Sequence, residues 1–184
     1  MAAISINHVS IHAQDLDAQD LDRSTAFYEQ LFGMERIPTP MFAFPVAWLR
    51  LGRQQLHLFV RSDVQPPRFH HVGLNVDDFD AVWRRAGEQG LRDDSAFFSG
   101  TYELPDGSVQ LYLRDPAGNL VEVDWPDART LDVRIRKDLI PLSSTVHQTG
   151  DALRATLFLD LGDSTAARIR RSSKGPPCTQ PTTP

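Results

Sequence analysis

Cysteine is almost missing from this sequence. Its single one, Cys178, lies in a Pro/Thr-rich stretch, and one thiol cannot close an internal disulfide, so a cytoplasmic location is expected. Long apolar runs are missing too: nothing approaches the roughly 20 residues that span a bilayer, and no membrane partner is expected. The first residues lack a basic segment leading into an apolar one, so no secretory signal is expected. Nor is there surplus positive charge. With 19 Lys+Arg against 24 Asp+Glu the net charge is −5, which gives no reason to expect nucleic acid as a partner. What remains is a chain of 184 residues, 41% hydrophobic, enough for one sizeable domain or two small modules sharing a core.

The chain is organised around Phe69-His70-His71-Val72-Gly73-Leu74-Asn75-Val76-Asp77-Asp78, a strand running into a helix start. A close counterpart stands near the N-terminus: Ile6-Asn7-His8-Val9-Ser10-Ile11, followed by Asp15-Leu16-Asp17. Two copies of one unit are therefore expected, with His8 equivalent to His71. Between strand and helix of the first copy, the pentapeptide beginning at Ala13 is repeated at once from Ala18. This lengthens a loop at little thermodynamic cost, or adds a helical turn.

Each copy reads as strand-helix-strand-strand-strand. In the first, Ile4–His12 alternates, Asp22–Phe32 is a helix capped by Gly33, Phe42–Phe44 is a short strand, and Val46–Leu51 and Gln54–Val60 are strands joined at Gly52-Arg53. Pro66-Pro67 separates the copies. In the second, Phe69–Val76 is a strand, Asp78–Gln89 a helix ended by Gly90, Ser95–Phe98 a strand, and Ser108–Arg114 and Leu120–Asp124 strands joined by Asp115-Pro116-Ala117-Gly118-Asn119. The units are placed at residues 1–64 and 65–126. An extension follows at 127–161, with Asp132–Leu139 helical and Ala152–Leu161 helix or strand. Residues 162–184 read as a disordered tail.

Alternation sorts the side chains. On the first strands, Val9 and Ile11, and Val72 and Leu74, belong under the helices; His8 and His71 face the other way. On the last strands, Leu56 and Leu58, and Val121 and Val123, belong under the helices; His57 and Glu122 face away. A single strand histidine is more often an ordinary hydrogen-bonded residue than a ligand. Four metal-capable side chains at matched positions of two repeats are another matter, and three imidazoles with one carboxylate suit a divalent ion such as Zn, Ni, Co or Fe(II). His70 points to the opposite face, and His12 lies at the rim. Trp48, Arg50 and Phe59 share the ligand face in the first copy, as Gln110, Tyr112 and Arg114 do in the second. They are the expected substrate-lining residues, the arginines suiting an anionic or multi-oxygen substrate.

The segments Asn7-His8-Val9, Phe27-Tyr28-Glu29-Gln30-Leu31-Phe32-Gly33-Met34, His71 to Asp78, and Arg114-Asp115-Pro116-Ala117-Gly118-Asn119-Leu120-Val121-Glu122 resemble the vicinal oxygen chelate superfamily, which includes glyoxalase I, extradiol dioxygenases and bleomycin-binding proteins. The resemblance covers about Ile4 to Trp125. It implies an α+β fold of two βαβββ modules whose curved mixed sheets enclose a metal site, with His8, His57, His71 and Glu122 as ligands of one divalent ion. It also implies a homodimer, the site closing within one chain or across two. Lyases and epimerases of the family usually carry Glu or Gln where this chain has His57. Glu122 and His57 are then the expected acid–base residues. The function expected is a metal-dependent, glyoxalase-like lyase or isomerase acting on a small oxygenated substrate. The alternatives are an Fe(II)-dependent extradiol-type dioxygenase, with His57 as acid–base, and a metal-free drug-binding protein.

Overall fold

The computed structural model describes residues 5–13, 20–61, 65–96, 98–144 and 146–159. The first unit runs β1 (His8–Ala13), α1 (Asp20–Phe32), β2 (Glu35–Ile37), β3 (Val46–Leu51) and β4 (Gln54–Val60). Its sheet has the order β1-β4-β3-β2. The β1–β4 pair is parallel and the others antiparallel. The second unit repeats this with β5 (His71–Asn75), α2 (Phe79–Glu88), β6 (Thr101–Glu103), β7 (Val109–Arg114) and β8 (Leu120–Trp125). There β5 pairs with β8 in parallel, and the order is β5-β8-β7-β6. The chain then makes a helix, α3 (Val133–Asp138), and returns as β9 (Leu139–Pro141), parallel to β6 on the outer edge of the second sheet.

Local chemistry accounts for the helix ends. Asp78 caps α2 by accepting the Ala81 N–H, and Phe79, Val82 and Ala86 form its buried stripe. Gly33 ends α1 with φ +63°, a left-handed conformation that costs glycine little, while its N–H still reaches the Glu29 carbonyl. The helix-side faces of both sheets feed a continuous core that includes Tyr28, Leu49, Leu58, Phe79, Leu111 and Val123.

A polar knot crosses between the units. Tyr28 donates to Asp115 Oδ2 at 2.9 Å, and the Asn119 amide donates to the same carboxylate and to the His12 carbonyl. Burial pushes the Asp115 carboxyl up, against the opposing effect of its bonds from Asn119 and Tyr28. On the helix side Arg85 donates to the Gln30 carbonyl.

Three expected elements fall elsewhere. The strand at Phe42–Phe44 is not formed; those residues lie in irregular chain between Pro38 and Pro45, and the strand pairing with β3 is Glu35–Ile37. Prolines lack the N–H a ladder needs, so pairing stops before them. At the described residues of the strand expected over Ser95–Phe98 (Phe97 lies outside them) there is a turn, with Asp93 capturing the Ser95 N–H and the Phe98 N–H donating to the Ser95 carbonyl, and β6 forms later, at Thr101. Of the element expected at Ala152–Leu161, the described residues end at 159, and Ala152–Arg154 belong to a 3-10 turn, Gly150–Arg154. The tail at 162–184, Cys178 and most of the tandem pentapeptide lie outside the described residues. Among the described residues no helix is long and apolar enough to cross a membrane.

Candidate metal centre

The first sheet turns one face away from its helix, and His8, His57 and Trp48 stack on it. The His8 and His57 rings lie 4.3 Å apart at 14°, and Trp48 covers the other side of His57 at 4.4 Å and 6°. Strand register explains the stack: Trp48 and His57 are direct partners across β3 and β4, while β1 lies on the other side of β4. His57 is buried, and its Nε2 meets Gln55 Oε1 at 2.8 Å. Burial and then the neighbouring His8 hold its pKa below the usual imidazole value, so the ring is neutral.

On the second sheet the same face carries His71 and Glu122, with His71 Nε2 3.4 Å from Glu122 Oε2. His71 Nδ1 lies 3.0 Å from the Phe69 carbonyl, an acceptor only, so the ring N–H sits on Nδ1. In the neutral ring the Nε2 lone pair therefore faces a buried carboxylate. Either a proton on Nε2 or a shared cation resolves that opposition, and a ring nitrogen tied to a backbone carbonyl is how a ligating histidine is usually oriented. The pair offers two of the donors a divalent ion would take.

Sequence reasoning passed over Asp124. It lies two residues beyond Glu122 on the same strand, so alternation puts both carboxylates on one face. Burial first, and then the neighbouring Glu122, push the Asp124 carboxyl up to about 8. Gly73, paired with Glu122 across β5 and β8, makes room for them: a Cβ there would stand 3.1 Å from Asp124 Oδ2 and 3.5 Å from Glu122 Oε1. The signal was present in the sequence, as an acid at i+2 from the chosen acid and a glycine opposite.

The four expected ligands form two pairs rather than one cluster. Among the described residues no three His, Cys, Asp or Glu side chains converge as a metal site would require. Topology separates the pairs. The far end of β1, at His12, is tied to Asn119, next to the residue that pairs with His71. His8 lies four residues back along β1, a distance on the order of 10 Å.

The remaining expected residues divide as well. Trp48 and Phe59 stand on the ligand face of the first sheet, each ring against that of His57. Gln110 and Tyr112 stand beside Glu122 on the second, with the Tyr112 hydroxyl 3.2 Å from Gln110 Oε1. Burial, and then the Glu122 carboxylate, raise the Tyr112 pKa, so it keeps its proton. The two arginines are already engaged. Arg50 pairs with Glu35 at the exposed edge. Arg114 pairs with buried Asp93 and donates to the carbonyls of Gly118 and Arg68. His12 is half-buried at the end of β1, and His70 is exposed ahead of β5. A cleft of about 600 Å³ opens elsewhere, between the β3–β4 turn and the end of β5, with Asn75, Asp78 and Arg85 in its lining; of the expected ligands and substrate-lining residues, only Arg50 reaches it.

The family model described as Glyoxalase/Bleomycin resistance protein/Dioxygenase superfamily matches residues 5–123. No curated protein matches the chain. Among solved structures, a glyoxalase-family protein from Bacillus anthracis is similar at 26% identity and TM-score 0.53, over 67% of this chain and 96% of that one. A fosfomycin resistance protein from Listeria monocytogenes, solved with Mn(II) and sulfate, is similar at 13% identity and TM-score 0.51, over 74% of this chain and 99% of that one. An oxidase, ChaP-H2, is similar at 23% identity and TM-score 0.52, over 67% and 94%. The last two likenesses concern the fold alone.

Proposed function

The chain belongs to the glyoxalase/bleomycin resistance protein/dioxygenase superfamily, and from that premise we propose that it is a metal-dependent enzyme of the glyoxalase-like lyase or isomerase kind, acting on a small substrate with two neighbouring oxygens. One observation carries the reading: His71, held by the Phe69 carbonyl, turns Nε2 toward the buried Glu122 carboxylate. His71 and Glu122 of one chain, with His8 and His57 of a second copy, would make the four-donor set. Because the two pairs are separate within a chain, a closed set calls for a dimer, and two-fold symmetry would give it two equivalent sites. A bound divalent ion supplies Lewis-acid stabilisation of negative charge on the substrate oxygens.

The protein's own part is proton transfer. Glu122 is buried beside His71 and accepts a proton from the carbon next to those oxygens, then returns it. His57, neutral and bonded to Gln55, is the second acid–base group. Trp48 covers one side of the His57 ring and Tyr112 stands edge-on to His71, so each pair has an aromatic wall beside it.

A second reading, an Fe(II)-dependent ring-cleaving dioxygenase, draws support from the aromatic rings beside both pairs. Protein purified without oxygen and submitted to elemental analysis tests both. Zn, Ni or Co without oxygen uptake on catechols supports the lyase or isomerase. Iron with oxygen uptake supports the dioxygenase. A protein that holds no metal at all is a binding protein, and both enzyme readings fall.

A further inference from the structure

Resting on the reading above, in which His57 is an acid–base group, we infer that Gln55 is its positioning residue: by accepting the Nε2 proton it leaves His57 to act through Nδ1, whereas His8 and His71 offer Nε2. The amide oxygen of Gln55 lies 2.8 Å from His57 Nε2. An amide oxygen only accepts, so in the neutral ring the hydrogen sits on Nε2 and the lone pair on Nδ1. Nδ1 has no hydrogen-bond partner among the described residues. It is also not one of their unpartnered atoms sealed from solvent, which belong to His12, Trp48, Arg92 and Asp124, so it keeps a way out. His8 stacks on one side of the ring and Trp48 on the other, so the ring edge is what His57 presents. His8 is held the other way round: Asn7 Oδ1 lies 3.0 Å from His8 Nδ1, as the Phe69 carbonyl does from His71 Nδ1.

The repeat shows why an amide stands at this position. Gln55 precedes His57 by two residues, so alternation puts both side chains on the ligand face, and across β1 and β4 it lies opposite His8. Its backbone N–H donates to the Asn7 carbonyl, which ties together the two residues that orient the stacked imidazoles. The matched position of the second unit, opposite His71, is Leu120, buried and apolar. There the last strand carries Glu122, and a carboxylate has two equivalent oxygens and no tautomer to choose. An imidazole has two unlike nitrogens, and an unheld neutral ring divides its proton between them. Nδ1 is bonded to the ring carbon that carries Cβ, so a proton taken there is taken close to the sheet.

The test reads the ring nitrogens directly. Full-length protein carrying isotopically labelled histidine is examined by long-range nitrogen–proton correlation NMR at about pH 8, where imidazoles are neutral, first stripped of metal and then with Zn(II) added. His57→Gln identifies the His57 signals. His57 is expected to carry its proton on Nε2 in both samples, and His71 on Nδ1. Gln55→Leu is expected to move the two His57 nitrogens toward a common, averaged shift, while Gln55→Glu, which keeps an acceptor, preserves their separation. A proton on Nδ1 of His57, or the same pattern in His57 and His71, overturns the inference. So does a Gln55→Leu protein whose His57 signals stay where they were, because the stack then holds the tautomer unaided, and so does loss of the separation in Gln55→Glu. Should Gln55→Leu fail to fold, the unaltered protein and Gln55→Glu decide the matter. Zn(II) that moves no histidine signal sinks the metalloenzyme reading and leaves the tautomer assignment standing.

Discussion

Tyr28 and Asp115, 87 residues apart, share a buried hydrogen bond of 2.9 Å that joins the helix of the first unit to the β7–β8 turn of the second. The same carboxylate accepts from Ala117 N, Asn119 N and the Asn119 side chain, so it organises its own turn and anchors the neighbouring unit together. Tyr28→Phe removes one bond and leaves the shape, and should cost about 1–2 kcal/mol. Asp115→Ala strands a buried hydroxyl and undoes the turn, and should cost about 3–5 kcal/mol. Urea denaturation of both variants checks the order; equal losses would show that the turn, not the bond between units, carries the stability.

The ligand assignment predicts a contrast between neighbours. His71→Ala and Glu122→Ala should each abolish metal retention, while His70→Ala, altering an exposed ring outside β5, should leave it nearly intact. Metal-to-protein ratios after dialysis decide this. Equal loss in the two histidine variants would mean the strand faces are misassigned.

A shared site predicts complementation. A His8→Ala/His57→Ala chain and a His71→Ala/Glu122→Ala chain should each purify without metal. Refolded together they should regain it, because one of the two sites in a mixed dimer has all four donors. If the mixture stays empty while the unaltered protein binds one ion per chain, the site does not form across two copies.

The Asp93–Arg114 pair predicts a pH dependence. Burial alone would raise the Asp93 pKa, but bonds from Ser95 and Arg114 outweigh it and hold the carboxyl below its ordinary 3.8. A depressed acid contributes stability above its unfolded value and loses it as pH falls through the folded one. The gap between the unaltered protein and Asp93→Asn should therefore be widest at neutral pH, about 2–4 kcal/mol for a mostly buried pair. It should narrow steadily below pH 3.8. A gap independent of pH down to 2 would show that Asp93 acts through shape alone.

Gly73 predicts crowding. Gly73→Ala places a methyl group 3.1 Å from Asp124 Oδ2, which must move or push against Glu122. Metal affinity should fall about 10-fold, the cost of displacing one ligand by a few tenths of an ångström. Adding Asp124→Ser should restore much of it by making space; failure of that rescue would point to the backbone rather than the carboxylates.

Much of the fold was legible because the two units repeat, and period-2 alternation is strong in β3, β4, β5 and β7. The same rule placed His8 beside His57 and His71 beside Glu122. It failed where local chemistry competes with pairing: prolines around Phe42, and Asp93 capturing Ser95. It was also silent on distance. Alternation assigns a side chain to a face but does not say how two sheets lie against one another, so four donors at matched positions became two pairs. The arginines show the same limit. Arg50 and Arg114 stand where a substrate contact was expected, yet their carboxylate partners, Glu35 and Asp93, come from other strands and turns that a face assignment does not see. Asp124 is different: it could have been found, and was hidden only by the more familiar acid beside it.

β9 lies along the outer margin of β6, hydrogen-bonded through Thr101–Glu103. The second sheet thus borrows its last strand from chain that comes after the repeat has ended, whereas the first sheet closes with its own β2. A protein shortened at Trp125 would keep every candidate ligand yet bare the amide and carbonyl row of β6, and would tend to stick to itself edge on edge. The stretch beyond the repeat serves the molecule as a hem, and its removal should show first in solubility rather than in chemistry.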